Sequence, residues 1–250
     1  MGRLHRDVMA QVTLSVVSGR LAPGSLLPRE VDLAEEYGVS RGTARETIRA
    51  MEERGLVSVR HGRGAVVTDP GNWDLLDPDV LRAMLAGPGG PAVLDQYLRT
   101  RSMIEIEAVA AAAELARPED LDRMQAELSV MEQVGALSED GDHAAEIRFH
   151  EADLAFHQAL FAAARNQVLA GLIRRVHDAL FIARVALARP QFRIERALPE
   201  HRAIYEAVRA GDPAAARRAM TTHLRTVEQY LVEAADGAAG VSAAQGPEHP

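Results

Sequence analysis

The amino-acid sequence predicts a mostly α-helical protein, with an N-terminal winged helix-turn-helix domain followed by an all-α helical bundle of about seven helices. Apolar residues recur at helical spacing through most of the chain, and glycine and proline clusters separate the helical segments. Two short valine-containing runs, at 56–59 and 65–67, have instead the composition of β-strands. We therefore assign residues 1–69 to the first domain, residues 73–235 to the second, and the Gly- and Ala-rich residues 236–250 to a disordered tail.

The first domain is expected to contain three helices. Periodic apolar residues indicate the first helix at 8–17, and a short second helix covers 30–37. Ser40 is a good N-cap residue for a longer third helix that reaches Arg54. The third helix is the candidate recognition helix, because it is the second helix of the helix-turn-helix.

A recognition helix needs short polar and arginine side chains at its N-terminus, where they meet base edges and phosphates. The third helix has such residues there, namely Ser40, Arg41, Thr43 and Arg45. Its opposite face has apolar residues at a spacing that suits burial, namely Ala44, Ile48 and Met51. Taken alone, this pattern also fits an ordinary capped helix with solvated arginines.

The two β-type runs flank a glycine-rich reversal and predict a hairpin, the wing of the domain. Gly62 and Gly64 let the backbone of the wing approach a sugar-phosphate chain closely. His61 and Arg63 are placed to reach a phosphate or the minor groove. Three helices and a hairpin complete the winged helix-turn-helix.

Charge and composition limit the function further. The net charge is −8, but residues 1–69 carry 10 Arg against 9 acidic residues, so the acidity belongs to the rest of the chain. The chain has no cysteine, which restricts a metal site to His, Asp and Glu ligands. No apolar run is long enough for a membrane span or a signal peptide, so we expect a cytoplasmic protein.

The second domain contains a candidate metal site. Asp153 and His157 are four positions apart in a helical run, which places them on one helix face about 6 Å apart along the axis. His201 and His223 lie in two later helices. If the three helices are neighbours, these four side chains can converge on a divalent cation. Taken singly, each histidine is more often an ordinary core or surface residue.

The N-terminal 67 residues resemble the GntR family of bacterial regulators. The resemblance lies in 19–30, in Gly38-Val39-Ser40-Arg41, in Arg45-Glu46 and in 55–64. It implies a homodimer that binds palindromic operator DNA through the residues that match the family's DNA contacts. These are Ser40, Arg41, Gly42, Thr43, Arg45, His61 and Gly62, and we add Arg63 from the wing.

One position departs from the GntR pattern. Val31 stands where the family usually has Arg, and Arg29 stands two residues earlier, where Ser is usual. We include Arg29 among the expected DNA contacts, and whether it replaces the lost arginine is left open. The operator is expected to differ from that of close relatives.

The second domain resembles the FCD effector domain of the FadR-like branch of that family, in its metal-binding form. The matching segments are 153–157, Asn166, 200–204 and 219–224. The resemblance implies that Asp153, His157, His201 and His223 bind a divalent metal ion. Zinc is the first expectation, with nickel, manganese or iron as alternatives. An acyl-CoA effector is not expected, since the fatty-acyl-responsive member lacks this set.

The segment 73–81 resembles the opening of the seven-helix form of the domain, several members of which respond to sugar acids. Arg101 and Glu105 match an Arg-x-x-x-Glu pattern of the domain. We hypothesise that a small carboxylate effector coordinates the metal and pairs with Arg101, with Glu105 and Asn166 also at the effector site. The alternative role of Arg101 is a salt bridge to Glu105 one turn away.

These features together predict a ligand-responsive transcriptional regulator of catabolic genes, most simply a repressor, and not an enzyme. Two alternatives remain at the level of sequence. The Asp and His residues could activate water in a metalloenzyme, or the metal ion could itself be the signal. No further carboxylate stands at a spacing that marks it as a general base, which counts against the enzyme.

Overall fold

The computed structural model of the protein describes residues 3–60, 62–87, 89–137, 143–187 and 193–244. Within these ranges the chain forms ten α-helices and one antiparallel pair of β-strands, which confirms the predicted mostly α fold. The chain divides into two compact units, Met1–Asp95 with Asp178–Ala183 and Gln96–His177 with Arg184–Pro250.

The first unit has the predicted three helices and hairpin. Its elements are α1 (Arg3–Val17), α2 (Glu30–Glu36), α3 (Arg41–Glu53), β1 (Val57–Arg60), β2 (Gly64–Val67) and α4 (Pro78–Leu85). Apolar faces of these elements form one core, in which Leu33, Met51 and Leu56 are fully buried. The burial of these faces from water holds the small unit together.

A short extended segment extends the hairpin beyond the prediction. The strands pair with Val57 opposite Val67. The amide of Leu27 donates to the carbonyl oxygen of Ala65, and the amide of Val67 donates to that of Ser25. The edge of β2 is therefore covered, which satisfies backbone groups that a two-stranded hairpin would leave exposed.

Residues 70–72, which lie between the two predicted domains, are part of the first unit. The amide of Asp74 donates to the carbonyl oxygen of Arg54 at 2.8 Å. Gly55 has φ +71°, and a Cβ atom at this glycine would lie 2.0 Å from the carbonyl oxygen of Asn72. The turn-forming composition of these residues is typical of a linker. The backbone is nevertheless hydrogen-bonded to the end of α3, and it passes so close to Gly55 that a larger residue would not fit at that glycine.

The first unit also extends further than the sequence suggested. Trp73 and Val80 are buried in the same core as the winged helix-turn-helix. Arg54 forms an ion pair with Asp77, the N-cap residue of α4, with Nε 3.0 Å from Oδ2. The first compact unit therefore continues past the predicted boundary at 69–73, because α4 packs on α1 and the end of α3 binds the start of α4.

The remaining helices belong mainly to the second unit. They are α5 (Gly90–Leu115), α6 (Pro118–Leu137), α7 (His143–Ala163), α8 (Gln167–Leu187), α9 (Arg193–Arg209) and α10 (Pro213–Ala244). With α4, the described chain has the seven helices expected after the wing. Helix α6 packs on α7 and α9, and α9 packs on α10. The core includes fully buried Phe156, Leu160 and Met131, and the small Ala108 and Ala112 let helices approach closely.

The predicted disordered tail is partly wrong. Helix α10 continues through Ala244 and so covers the first part of 236–250. Alanine has the highest helix propensity, and the alanines of this segment extend the preceding helix despite its glycines. Residues 245–250 lie outside the described part of the chain.

Among the residues described, no helix is both long and apolar enough to cross a lipid bilayer.

Candidate functional site

Three helices of the second unit bring the four predicted metal ligands together. Asp153 and His157 lie on α7, His201 lies on α9 and His223 lies on α10, and all four side chains are buried. The Nε2 atom of His201 is 2.8 Å from Oδ1 of Asp153 and 3.3 Å from Nε2 of His157. Ring nitrogens of the three histidines all lie within 4.8 Å of one another.

His201 has a defined protonation state on one side of its ring. Its Nδ1 atom lies 2.7 Å from the carbonyl oxygen of Ala197, one turn earlier on α9. A carbonyl oxygen can only accept, so Nδ1 carries a proton, and Nε2 is an acceptor in the tautomer that binds metal. In that tautomer it faces a carboxylate oxygen of Asp153, also an acceptor, at hydrogen-bond distance. A cation between the two atoms, a proton or a metal ion, makes this approach favourable.

The donor set fits a divalent metal ion. A proton between His201 and Asp153 would satisfy only that pair, whereas one ion could be shared by the ring nitrogens of the three histidines, with Asp153 adjacent to His201. Two nitrogens bound at about 2.0–2.1 Å to one tetrahedral ion lie roughly 3.3–3.4 Å apart. The 3.3 Å between His157 and His201 agrees with that spacing. Imidazole and carboxylate ligands suit zinc, nickel, manganese and iron.

Burial keeps two of the imidazoles neutral, the form that binds metal. Burial lowers the pKa of His157 well below its ordinary value, and the charge of Asp153 opposes this shift only in part. Burial likewise lowers the pKa of His223 to about 4, although a hydrogen bond with Glu200 acts in the opposite direction. Both rings are therefore available as ligands at neutral pH.

Glu200, which the sequence did not single out as a site residue, contacts His223, one of the four predicted ligands. Its Oε2 atom lies 3.1 Å from Nδ1 of His223, and its Oε1 atom accepts a 2.6 Å hydrogen bond from Oγ1 of Thr226. Glu200 directly precedes His201 on α9, so that helix contributes one ligand and the partner of another. The sequence signal was weak, because a glutamate in a helix is normally a solvated surface residue.

Arg101 and Glu105 form a buried group with His177 of α8. The Nε atom of Arg101 lies 2.6 Å from Oε1 of Glu105, and Nε2 of His177 lies 2.5 Å from the same oxygen. Burial acts to raise the pKa of Glu105, but the charges of Arg101 and His177 outweigh it and hold the pKa well below its ordinary value. Of the two roles considered for Arg101, the structure has the salt bridge.

This buried group adjoins the metal cluster. The ring of His177 stands edge-on to that of His157, with centroids 5.9 Å apart. Nε of Arg101 donates to Oε1 of Glu105, and Nη2 of Arg101 lies 3.5 Å from Oε2 of Glu105. The guanidinium has five N–H donors in all. Arg101 therefore has further donors next to the three histidines.

Asn166 does not join this group. It is exposed at the N-terminus of α8, where its Oδ1 atom accepts a 3.0 Å hydrogen bond from the amide of Leu169. Its position is about 16 Å along the helix axis from His177. Its side chain caps a helix in this structure, and a role at the effector site stays a prediction.

The candidate recognition helix is built as predicted. Ser40 caps α3, and its Oγ atom accepts a 3.1 Å hydrogen bond from the amide of Thr43. Ala44 and Met51 are fully buried, whereas Arg41, Gly42 and Arg45 are exposed. Ile48 is half-buried against the same core, and buried Thr47 adds to the inner face.

Several arginines of this surface are available to a ligand. Arg41, Arg45 and Arg63 have no ion-pair partner within the described part of the chain. At the wing tip, Gly62 has φ +76° and a Cβ atom there would meet nothing within 4 Å, so the backbone is open to approach. His61 lies outside the described residues.

Arg29 differs from these arginines. Its Nε and Nη2 atoms form a two-point ion pair with Asp32 of α2, at 2.8 and 3.0 Å. The pair is exposed, so it contributes little to stability and can be exchanged for a phosphate. A DNA contact by Arg29 would use its remaining N–H donors or replace Asp32 with a phosphate.

Comparison with known proteins agrees with this architecture. Residues 4–67 match the family described as bacterial regulatory proteins, gntR family, and residues 96–226 match the FCD domain. The chain belongs to the GntR family. It is a DNA-binding transcriptional regulator with an FCD domain and is not an enzyme.

Relatives of this GntR regulator cover most of its length. It is 30% identical over 224 residues to the galactonate operon transcriptional repressor of Escherichia coli, with 87% of this chain and 92% of that protein covered. It is 35% identical over 229 residues to an uncharacterised HTH-type transcriptional regulator of Mycobacterium tuberculosis, with 92% and 87% covered.

A solved structure supports the fold. The structure of Lar, which controls the expression of the Listeria monocytogenes agr system, matches with a TM-score of 0.59 at 20% identity. The match covers 94% of this chain and 97% of that chain. At this identity the likeness concerns the fold alone.

Proposed function

We propose that this GntR regulator is a homodimeric repressor that senses a small carboxylate at a divalent metal ion. The metal is bound by Asp153, His157, His201 and His223. The observation that carries the proposal is the 2.8 Å approach of two acceptor atoms, Nε2 of His201 and Oδ1 of Asp153. Both atoms are buried, and a metal ion in the cluster would make the approach favourable.

On the DNA side, the proposal assigns binding to the N-terminus of α3 and to the wing. The residues are Ser40, Arg41, Gly42, Thr43, Arg45, Gly62 and Arg63, with Arg29 and His61 as further contacts. Exposed arginines with no ion-pair partner among the described residues support this assignment. Two copies related by a two-fold axis would read the half-sites of a palindromic operator.

On the ligand side, the effector carboxylate would reach the metal and the remaining donors of Arg101. The effector either displaces Glu105 from Arg101 or binds Arg101 while the ion pair with Glu105 stays in place. A planar guanidinium grips a carboxylate through two parallel hydrogen bonds, which fixes the orientation of the ligand. The named role of the E. coli relative in the galactonate operon supports a sugar acid as the first candidate.

Titration of operator binding tests the proposal. Chelator-treated protein is mixed with operator DNA, first alone, then with Zn²⁺, and then with Zn²⁺ and D-galactonate or a related sugar acid. The proposal expects operator release only in the last mixture. Release by Zn²⁺ alone would identify the metal as the signal, as in a metal sensor, and would contradict the effector role.

The variant His201→Gln removes one of the four proposed ligands and is compared with the wild-type protein. This variant should bind operator like the wild type but fail to respond to the sugar acid. A full response in this variant would show that the cluster does not mediate sensing. Zinc content after gel filtration provides a readout of the metal site that is independent of DNA.

A further inference from the structure

Glu200 and Thr226 form a hydrogen-bonded chain that ends on one of the histidines of the cluster. Thr226 donates from Oγ1 to Oε1 of Glu200 at 2.6 Å, and Oε2 of the same carboxylate lies 3.1 Å from Nδ1 of His223. The carboxylate is largely buried, with about 15% of its side chain exposed. Both of its oxygens thus have a partner, and its position is defined.

This chain determines which nitrogen of His223 can bind a metal. A carboxylate accepts hydrogen bonds, so Nδ1 of His223 must carry the proton and Nε2 of the neutral ring keeps its lone pair. A carboxylate that accepts from a ligating imidazole also raises the basicity of the other nitrogen. His201 has the same arrangement, with the carbonyl oxygen of Ala197 in place of the carboxylate.

We propose that Glu200, held by Thr226, is a positioning residue for the metal centre, which presents Nε2 of His223 to the ion. The inference rests on the proposed metal site. Glu200 adds a second negative charge beside the ligands, together with that of Asp153. A site with three neutral imidazoles and these two carboxylates favours a divalent cation over a monovalent one.

The test compares Glu200→Ala, Glu200→Gln and Thr226→Val with the wild type in the full-length protein. Zn²⁺ affinity is measured by competition with a chromogenic chelator, and Co²⁺ absorption reports the ligand geometry. Loss of an outer hydrogen-bond partner typically weakens metal binding by about 10–100-fold. We expect a loss of that size in Glu200→Ala, and smaller losses in Glu200→Gln, whose amide oxygen still accepts, and in Thr226→Val.

Two control variants separate positioning from general destabilisation. Thr222 lies one turn before Thr226 on α10, is exposed, and bonds only the carbonyl oxygen of Arg218 among the contacts described for its side chain. Glu206 of α9 is exposed and pairs with Arg209. Thr222→Val and Glu206→Ala should leave Zn²⁺ affinity and the Co²⁺ spectrum unchanged. A change in these controls as large as that in Thr226→Val would overturn the inference.

The outcomes also distinguish this inference from the proposed function. If the wild type binds no Zn²⁺ or Co²⁺, the metal site itself is wrong and the inference falls with it. If the wild type binds both ions and Glu200→Ala binds them with equal affinity and an unchanged spectrum, the metal site stands and the role of Glu200 is refuted. A lower melting temperature of metal-free Glu200→Ala with unchanged affinity gives the same refutation.

Discussion

Nε2 of His201 on α9 lies 2.8 Å from Oδ1 of Asp153 on α7, while Nδ1 of the same ring binds the carbonyl oxygen of Ala197. The carbonyl oxygen fixes the proton on one side of the ring, and the carboxylate faces the lone pair on the other. The relationship connects two helices through a site that a cation would stabilise. Its consequences can be measured on the isolated protein.

Metal binding should stabilise the protein through these residues. Zn²⁺ at about 1,000 times its Kd should add about 4 kcal/mol to the free energy of unfolding, because the ion binds the folded state. A chelator should reverse the gain. The melting temperature of wild-type protein with and without Zn²⁺ measures it, and His201→Gln should show no metal-dependent shift. His177→Gln, which alters a neighbouring ring outside the ligand set, should keep the shift.

Removal of Arg101 should weaken the response to a carboxylate. Arg101→Ala loses a charge-assisted contact, so we expect at least a tenfold higher concentration of sugar acid for operator release. Isothermal titration of Zn²⁺-loaded protein measures the affinity directly. Arg217→Ala, which removes an exposed arginine paired with Glu107, serves as the control. Wild-type affinity in Arg101→Ala would refute an effector role for this arginine.

Substitution of Arg45 should weaken operator binding. The exposed guanidinium lies near the start of α3, and loss of a direct contact should cost about 1–3 kcal/mol of binding free energy. Binding to operator and to random DNA is measured over a range of salt concentrations. A phosphate contact predicts a salt slope reduced by about one, and a base contact predicts relaxed sequence preference. Arg49→Ala, one turn later and paired with Glu53, should bind like the wild type.

Gly55→Ala should destabilise the first unit more than an alanine at another left-handed glycine. A Cβ atom at Gly55 would lie 2.0 Å from the carbonyl oxygen of Asn72, so the backbone must shift. Gly38 has φ +62°, and a Cβ atom there would meet nothing within 4 Å. Gly38→Ala should therefore cost only the strain of the left-handed backbone conformation, about 1–2 kcal/mol of the free energy of unfolding. We expect Gly55→Ala to cost a further 1–3 kcal/mol, roughly, in urea unfolding. Equal costs would mean that the close approach is relieved elsewhere.

Local patterns predicted much of the first unit. Ser40 caps α3, and Ala44 and Met51 are buried beneath it, because capping and helical periodicity act over a few residues. The path of residues 70–72 was not predictable in this way. Their turn-forming composition says that the chain bends, but not that Asn72 passes within contact of Gly55. That approach depends on where α4 packs.

Part of the candidate site could also be predicted from the sequence. The four-residue spacing of Asp153 and His157 placed two ligands on one helix face, and resemblance to a family added His201 and His223. Glu200 was missed because its partner, His223, is on another helix. That Asn166 caps a helix was not foreseen, because the sequence motif that contains it does not say whether its side chain faces a ligand or a helix end.

The sequence by itself determined the helical fold, the hairpin and the residue types that can bind a cation, because periodicity, capping and side-chain chemistry are local properties. Only the tertiary structure decided that Glu105, which the sequence places one turn from Arg101, also contacts His177 of another helix, and that Glu200 holds the proton of His223 on Nδ1. Hydrogen bonds between helices depend on distances of a few tenths of an ångström. Such distances follow from the packing of the whole core and not from the spacing of residues along one helix.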